Sequence, residues 1–237
     1  MIDAHLRKLR KRDTISAAEE RAILASILET RNVKARQTLV RRDVRLEYSI
    51  LLINGWLGRA VDSRSGVRVF TQIHVAGDFA DLHAFTLKRL DHDVLALAQS
   101  TIAIVPHDRL VQLTSDFPHL ARVYWFSTNV DAAIHRQWLV SIGRSAIARM
   151  AHLFCELFLR LEVAGKTDGL SFEFPLTQEQ MASCLSLTTV HVNRTVQELR
   201  RLSMIELADR RLTISNLAAL QAMGEFNPSY LYLDRQS

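Results

Sequence analysis

Thr189, His191, Asn193, Arg194 and Gln197 crowd into the span 189–197, and each carries a hydrogen-bonding side chain. Such groups can read the edges of base pairs: an arginine pairs two donors with guanine, an asparagine or glutamine pairs with adenine, and a valine such as Val190 can meet a thymine methyl. Val192, Val196 and Leu199 fall at helical spacing among them, so the reading groups share the outer face of an amphipathic helix. A protein-contact face would instead expose large apolar or aromatic residues.

The elements around this helix give it a place. Thr177 and Gln180 form a capping box before a short helix whose stripe is Met181, Cys184 and Leu185. The pattern breaks at Ser186-Leu187, and Thr188 caps the second helix. Two short helices joined by a tight turn predict a helix-turn-helix, whose second helix enters the DNA major groove. Met204 to Leu207, the polar turn Ala208 to Arg211, and Leu212 to Ile214 then predict a β-hairpin wing. The DNA-contact set is Thr177, Thr188, Thr189, Val190, His191, Asn193, Arg194 and Gln197, with Arg210 and Arg211 from the wing. The alternative is a ligand- or partner-binding module whose winged helix contacts protein.

The segment Arg144 to Ala222 closely resembles the C-terminal domain of the Crp/Fnr family of bacterial transcription regulators. The resemblance rests on the T-x-E-x-M-A-x-x-L core, the V-x-V-N-R-T run and the L-x-x-x-x-M-I-E-L entry to the wing. GDFADLHAF at Gly77 to Phe85 resembles the corresponding turn of that family's N-terminal β-roll. The resemblance implies an α+β chain with a cyclic-nucleotide-binding-like sensor roll (an antiparallel jelly roll), a long dimerisation helix and a winged helix-turn-helix. It implies a sensor domain over 1–142 and a DNA-binding domain over 143–237. It also implies homodimers on a palindromic operator in double-stranded DNA, with RNA polymerase as a further partner.

The residues of the first half agree with a roll. Val33, Leu39-Val40, Ile50 to Ile53, Val67 to Val69 and Ile73 to Val75 are short β-prone runs. Asn54-Gly55, Asp62 to Gly66 and Ala76 to Asp78 separate them as turns, which predicts an antiparallel sandwich or jelly roll. Ser16 to Glu19 is a capping box ahead of a helix holding Ile23, Leu24 and Leu28.

In the family's cyclic-nucleotide-binding members a glutamate holds the ribose and an arginine-serine pair holds the cyclic phosphate. Here Asp81, Leu82 and His83 follow the GDF turn, and His92-Asp93 stands where the arginine and serine are expected. An aspartate repels phosphate and a neutral histidine is a poor replacement for arginine. These five residues are the candidate ligand pocket, the effector is unidentified, and cyclic AMP is not expected to fill the site. His74, His83 and His92 match no zinc spacing, so no metal site is expected. The only cysteines, Cys155 and Cys184, lie in the second half, so no iron–sulfur cluster and no cofactor are expected.

Pro118 starts a helix expected to run to about Val140. Val123, Phe126, Val130, Ala133, Gln137 and Val140 follow a 3-4 spacing, the predicted dimer seam. Ser141 to Gly143 is the expected hinge, and Arg144 to Leu161 a core helix.

Net charge is a poor guide. The chain carries 30 basic and 25 acidic residues, but from Ile142 onward there are ten of each. The local balance is better, because Arg194, Arg200, Arg201, Arg210 and Arg211 face only Glu198, Glu206 and Asp209, a set able to contact phosphates. The basic run LRKLRKR near the N-terminus reads as a solvated helix face or tail. Two cysteines, the lack of a transmembrane-length apolar run and the lack of a signal-like N-terminus predict a cytoplasmic protein without membrane partners. No glycine-rich phosphate loop, nucleophile elbow or His-Glu metal helix occurs, so no enzyme is expected.

Overall fold

In the computed structural model, residues 1–64 and 66–233 are described. Ser65, inside the expected Asp62 to Gly66 turn, lies outside the described residues. The chain opens with helices α1 (Asp3–Arg12) and α2 (Ala17–Ser26). Strands β1 (Glu29–Val33), β2 (Thr38–Val40), β3 (Tyr48–Asn54), β4 (Trp56–Asp62) and β5 (Arg68–Val75) follow. After the one-turn helix α3 (Ala84–Leu87) come β6 (Asp93–Ala96) and β7 (Ser100–Pro106). These strands form two antiparallel sheets, ordered β1-β7-β3 and β2-β6-β4-β5.

The two β-prone runs at Val67 and Ile73 are one strand, β5, paired along its length with β4. The β3–β4 turn falls at Gly55, whose φ of +94° suits glycine. Gly77 at the GDF turn has φ +89°, and a Cβ there would come within 2.7 Å of the Ala4 backbone. That close approach seats α1 on the roll. The basic N-terminal run is thus one face of a docked helix, with Ile2, Leu6 and Leu9 buried.

Helix α4 (His107–Asp116) leads into the 24-residue α5 (Pro118–Ser141). Proline at its first turn loses no helical bond and its ring presets φ. Helix α6 (Ala146–Val163) starts at Ser145, whose hydroxyl caps the Ala148 N–H, and buries Met150, Phe154, Leu157 and Phe158. A short hairpin, β8 (Thr167–Asp168) and β9 (Ser171–Glu173), precedes α7 (Gln178–Leu185) and α8 (Thr189–Arg201). The wing strands β10 (Ile205–Ala208) and β11 (Arg211–Ile214) extend that hairpin into a sheet ordered β10-β11-β9-β8. Helix α9 (Leu217–Met223) and a 3-10 turn at Pro228–Leu231 close the described chain.

The core of the winged-helix region runs into the roll. Trp56, Phe70 and Leu97 belong to one buried cluster with Phe154, Phe174 and Met181. Strand β5 is a sheet edge, and α7 covers it. The Ser183 hydroxyl accepts from the Phe70 N–H at 2.9 Å and donates to the Arg68 carbonyl at 2.8 Å. This satisfies edge groups that would otherwise need another partner.

Candidate nucleic-acid interface and candidate ligand site

Helix α7 forms as the capping box predicts: the Thr177 hydroxyl accepts from the Gln180 N–H at 3.2 Å, and the Gln180 side chain accepts from the Thr177 N–H at 2.8 Å. It ends at Ser186, whose φ of +51° turns the chain toward α8. Thr188 caps α8 by accepting from the His191 N–H at 3.2 Å. The two threonine hydroxyls therefore serve helix starts first. Val192, Thr195 and Leu199 bury the inner face of α8. Thr189, Val190, His191, Asn193, Arg194 and Gln197 are all exposed on the other side, Val190 by 60 %. Arg194 has no ion-pair partner among the described residues.

The wing turns at Asp209 and Arg210, both with positive φ (49° and 57°), the twist a two-residue hairpin requires. Arg210 is exposed at the tip. Arg211 leans back on β9, where its Nε donates to the Ser171 hydroxyl at 2.7 Å. Arg200 and Arg201 are drawn into local pairs with Glu206 and Glu198. The cations left free of such pairs, Arg194 and Arg210, flank the exposed α8 face from helix and wing.

The expected ligand pocket is only partly assembled. His83 and His92 do converge, their rings 5.5 Å apart. Asp81 does not join them. It is fully buried and accepts the Ile50 N–H at 2.6 Å; burial pushes its carboxyl up to about 7, against the opposing pull of that N–H and of Arg59. Asp93 accepts the Arg42 N–H at 2.9 Å and lies 3.6 Å from Arg68, at the sheet end. Leu82 is buried as an apolar side chain.

The residues that dominate the site were not foreseen. Arg59, 2 % exposed on β4, donates to the Ala80 carbonyl at 2.9 Å, to Gln72 at 2.7 Å and to Asp131 of α5 at 2.6 Å. Gln72 donates to the other Asp131 oxygen. The signal was an arginine inside the apolar strand WLGRAV, where a charge must be paired to be buried. His74, His83, His92 and His135 surround the pair, and all are held below the ordinary histidine range, chiefly by burial and then by charges that include Arg59. Among the described residues, no three His, Cys, Asp or Glu side chains are placed to hold a metal ion. None of the helices described is long and apolar enough to cross a membrane.

A second buried network lies beside the first. Asp78 of the GDF turn meets Lys8 of α1 at 2.5 Å and Arg160 of α6 at 2.9 Å. Burial opposes ionisation of Asp78, but the two cations outweigh it and hold the carboxyl below the usual range. Arg160 also pairs with Glu156 at 2.9 Å, and Glu156 accepts from Tyr230 at 2.8 Å and Trp138 at 3.3 Å.

The expected dimer seam needs correction. Val123 and Ala133 are 5 % and 3 % exposed, packed within the chain. Phe126, Val130 and Gln137 are half-buried, and of the six only Val140 is exposed. The free line on α5 lies one residue earlier: Arg122, Trp125, Asn129, Ala132, Arg136 and Leu139, all exposed and spaced 3-4-3-4-3. Trp125 and Leu139 expose 69 % and 70 % of their surface. The 3-4 period was readable, but periodicity alone leaves the choice between adjacent stripes to packing.

A sequence model of the Crp-like helix-turn-helix domain matches residues 148–223. The transcriptional activator protein FnrL of Cereibacter sphaeroides is 23 % identical over 201 residues, covering 83 % of this chain and 80 % of its own. An anaerobic regulatory protein of Aggregatibacter actinomycetemcomitans is 21 % identical over 214 residues, with 89 % and 82 % covered. The solved structure of FixK2 from Bradyrhizobium japonicum superposes with a TM-score of 0.71 at 16 % identity, covering 88 % of this chain and 98 % of that one. Residues 148–223 thus match a Crp-like helix-turn-helix domain, and the chain as a whole is similar, in sequence to transcriptional regulators such as FnrL and in fold to FixK2.

Proposed function

We propose that the protein is a homodimeric regulator that binds a palindromic DNA operator sequence-specifically and is controlled by a small-molecule signal. The observation that carries this reading is the α8 face. Its exposed groups are hydrogen-bonding apart from Val190, and the turn and wing that would set it into a groove are in place. Arg194 is the main base reader in this proposal, with Asn193 and Gln197 beside it and Arg210 on the backbone. Residues 1–142 form the sensing unit and 143–237 the DNA-binding unit, joined at Ser141 to Gly143. The dimer forms through Trp125, Ala132 and Leu139 of α5. Two α8 helices then meet successive major grooves about 34 Å apart. RNA polymerase is the further partner by family likeness.

Selection of bound duplexes from a random pool tests the reading. The expected result is a palindrome with half-sites one helical turn apart. Recovery of sequences no different from the input pool, with α8 intact, would contradict it.

A further inference from the structure

The turn that sets α8 against α7 is built without glycine. Ser186 takes the left-handed conformation, φ +51° and ψ +47°, which glycine adopts freely and a residue with a Cβ adopts at a cost. The bonds around it are those of a Schellman ending. The Leu187 N–H donates to the Ala182 carbonyl at 2.9 Å and the Ser186 N–H to the Ser183 carbonyl at 3.4 Å. That ending uses neither the Leu185 nor the Ser186 carbonyl. Thr188, the cap of α8, follows two residues after Ser186, so the backbone at Ser186 decides the angle at which α8 leaves.

Arg149 supplies the missing partner. It stands in the first turn of α6, half-buried. Its Nη1 donates to the Leu185 carbonyl at 2.6 Å and, more weakly, to the Ser186 carbonyl at 3.4 Å. A cation is also favoured where a helix dipole ends. Arg149 lines a small cavity with Ser141 and Ile142, where α5 ends, and with Cys184 and Leu185 of α7. One side chain thus reaches from the start of α6 to the turn, beside the end of the long helix.

Packing alone does not account for this arginine. Its Nε is buried and has no hydrogen-bond partner among the described residues. A buried donor left unmatched costs stability, and a methionine would fill the same space with no polar atom stranded. The guanidinium is retained where its two carbonyl contacts fall on the turn ahead of α8.

We propose that Arg149 is a positioning residue for DNA recognition. It clamps the glycine-free turn from α6, so that the angle of α8 follows α6 and the end of α5. The strain at Ser186 is what makes the clamp necessary. The inference rests on the reading of α8 as the base-reading helix and adds the residue that fixes its orientation.

The test compares full-length wild type, Arg149→Met, and Arg149→Met with Ser186→Gly. The first readout is the preference for a duplex selected by wild type from a random pool over its scrambled counterpart, at one salt concentration. Arg149→Met should lose this preference about tenfold or more and bind the scrambled duplex as wild type does. Ser186→Gly removes the cost of the left-handed turn and should restore about threefold or more of the loss. A residue serving only the fold would lower the urea midpoint and leave the preference of the folded protein unchanged. Arg149→Lys, which keeps the charge and one donor, should lose less, and it stands in if the methionine variant does not fold. The second readout needs no DNA: hydrogen exchange at the Leu187 amide should speed up about tenfold in Arg149→Met and slow again with Ser186→Gly. Unchanged preference, unchanged exchange, or a loss that Ser186→Gly does not reduce would overturn the proposal with the DNA reading intact. A wild type without base preference would overturn the DNA reading itself.

Discussion

The Arg59 guanidinium of β4 and the Asp131 carboxylate of α5 sit 2.6 Å apart, with 3 % and 21 % of their side chains exposed. This pair fastens the long helix to the roll. Removing one partner leaves a buried charge uncompensated, so Asp131→Ala should cost about 3–5 kcal/mol in urea unfolding. The double substitution Arg59→Met with Asp131→Leu should recover most of that loss. Equal stability of wild type and Asp131→Ala would show that the pair does not hold the helix.

The same pair bears on cyclic nucleotides. An incoming cyclic phosphate near His83 and His92 would have to displace Asp131 from Arg59, and neither histidine is charged at neutral pH. Calorimetry with cyclic AMP should show no binding at micromolar concentrations. A micromolar dissociation constant would mean that the roll reorganises around the ligand.

Asp81 makes stability depend on pH. Its folded value of about 7 lies above the ordinary 3.8, so the folded state holds this proton more tightly than the unfolded chain. The resulting stabilisation is full below about 4 and is lost as pH rises through 7. Asp81→Asn keeps an oxygen for the Ile50 N–H and cannot ionise. It should be more stable than wild type by about 2 kcal/mol at pH 8, using roughly 1.4 kcal/mol per unit with allowance for relaxation. The difference should vanish near pH 4. An unchanged difference at both pH values would refute the titration. His5 and His83, both held at about 4, act oppositely and remove stability as pH falls below 6.5.

Much of this architecture was legible in the sequence, and the gaps have physical causes. The capping box at Thr177 and Gln180, the cap at Thr188 and the α8 stripe are local features, set by residues three or four apart, and they form as read. The antiparallel roll was legible from turn-marked β runs. What escaped was non-local. Asp81 and Asp93 lie near the expected pocket in sequence, but strand pairing carries one to the Ile50 N–H and the other to the sheet end. Arg59 meets Asp131 only because α5 packs on the roll, a contact across 72 residues. The β8–β9 hairpin is too short to show a period.

If the protein dimerises as proposed, the exposed line on α5 is where the dimer can be split. Leu139→Asp and Trp125→Asp place charge on the free stripe and should yield folded monomers in sedimentation velocity, with operator affinity reduced at least tenfold. Val123→Asp strikes the interior and should destabilise the chain instead. Dimers that persist in the Trp125→Asp, Leu139→Asp double variant would place the interface elsewhere.

Arg194 offers the most direct test of the central claim, that α8 reads base sequence. The measurement is the affinity of wild type and Arg194→Ala for a duplex recovered by random-pool selection and for its scrambled counterpart, at one fixed salt concentration. Wild type should prefer the selected duplex by roughly 10³-fold or more. Arg194→Ala should stay folded and lose about 1–3 kcal/mol of discrimination at one base pair in each half-site. Equal wild-type affinity for the two duplexes, or discrimination unchanged in the variant, would contradict the account.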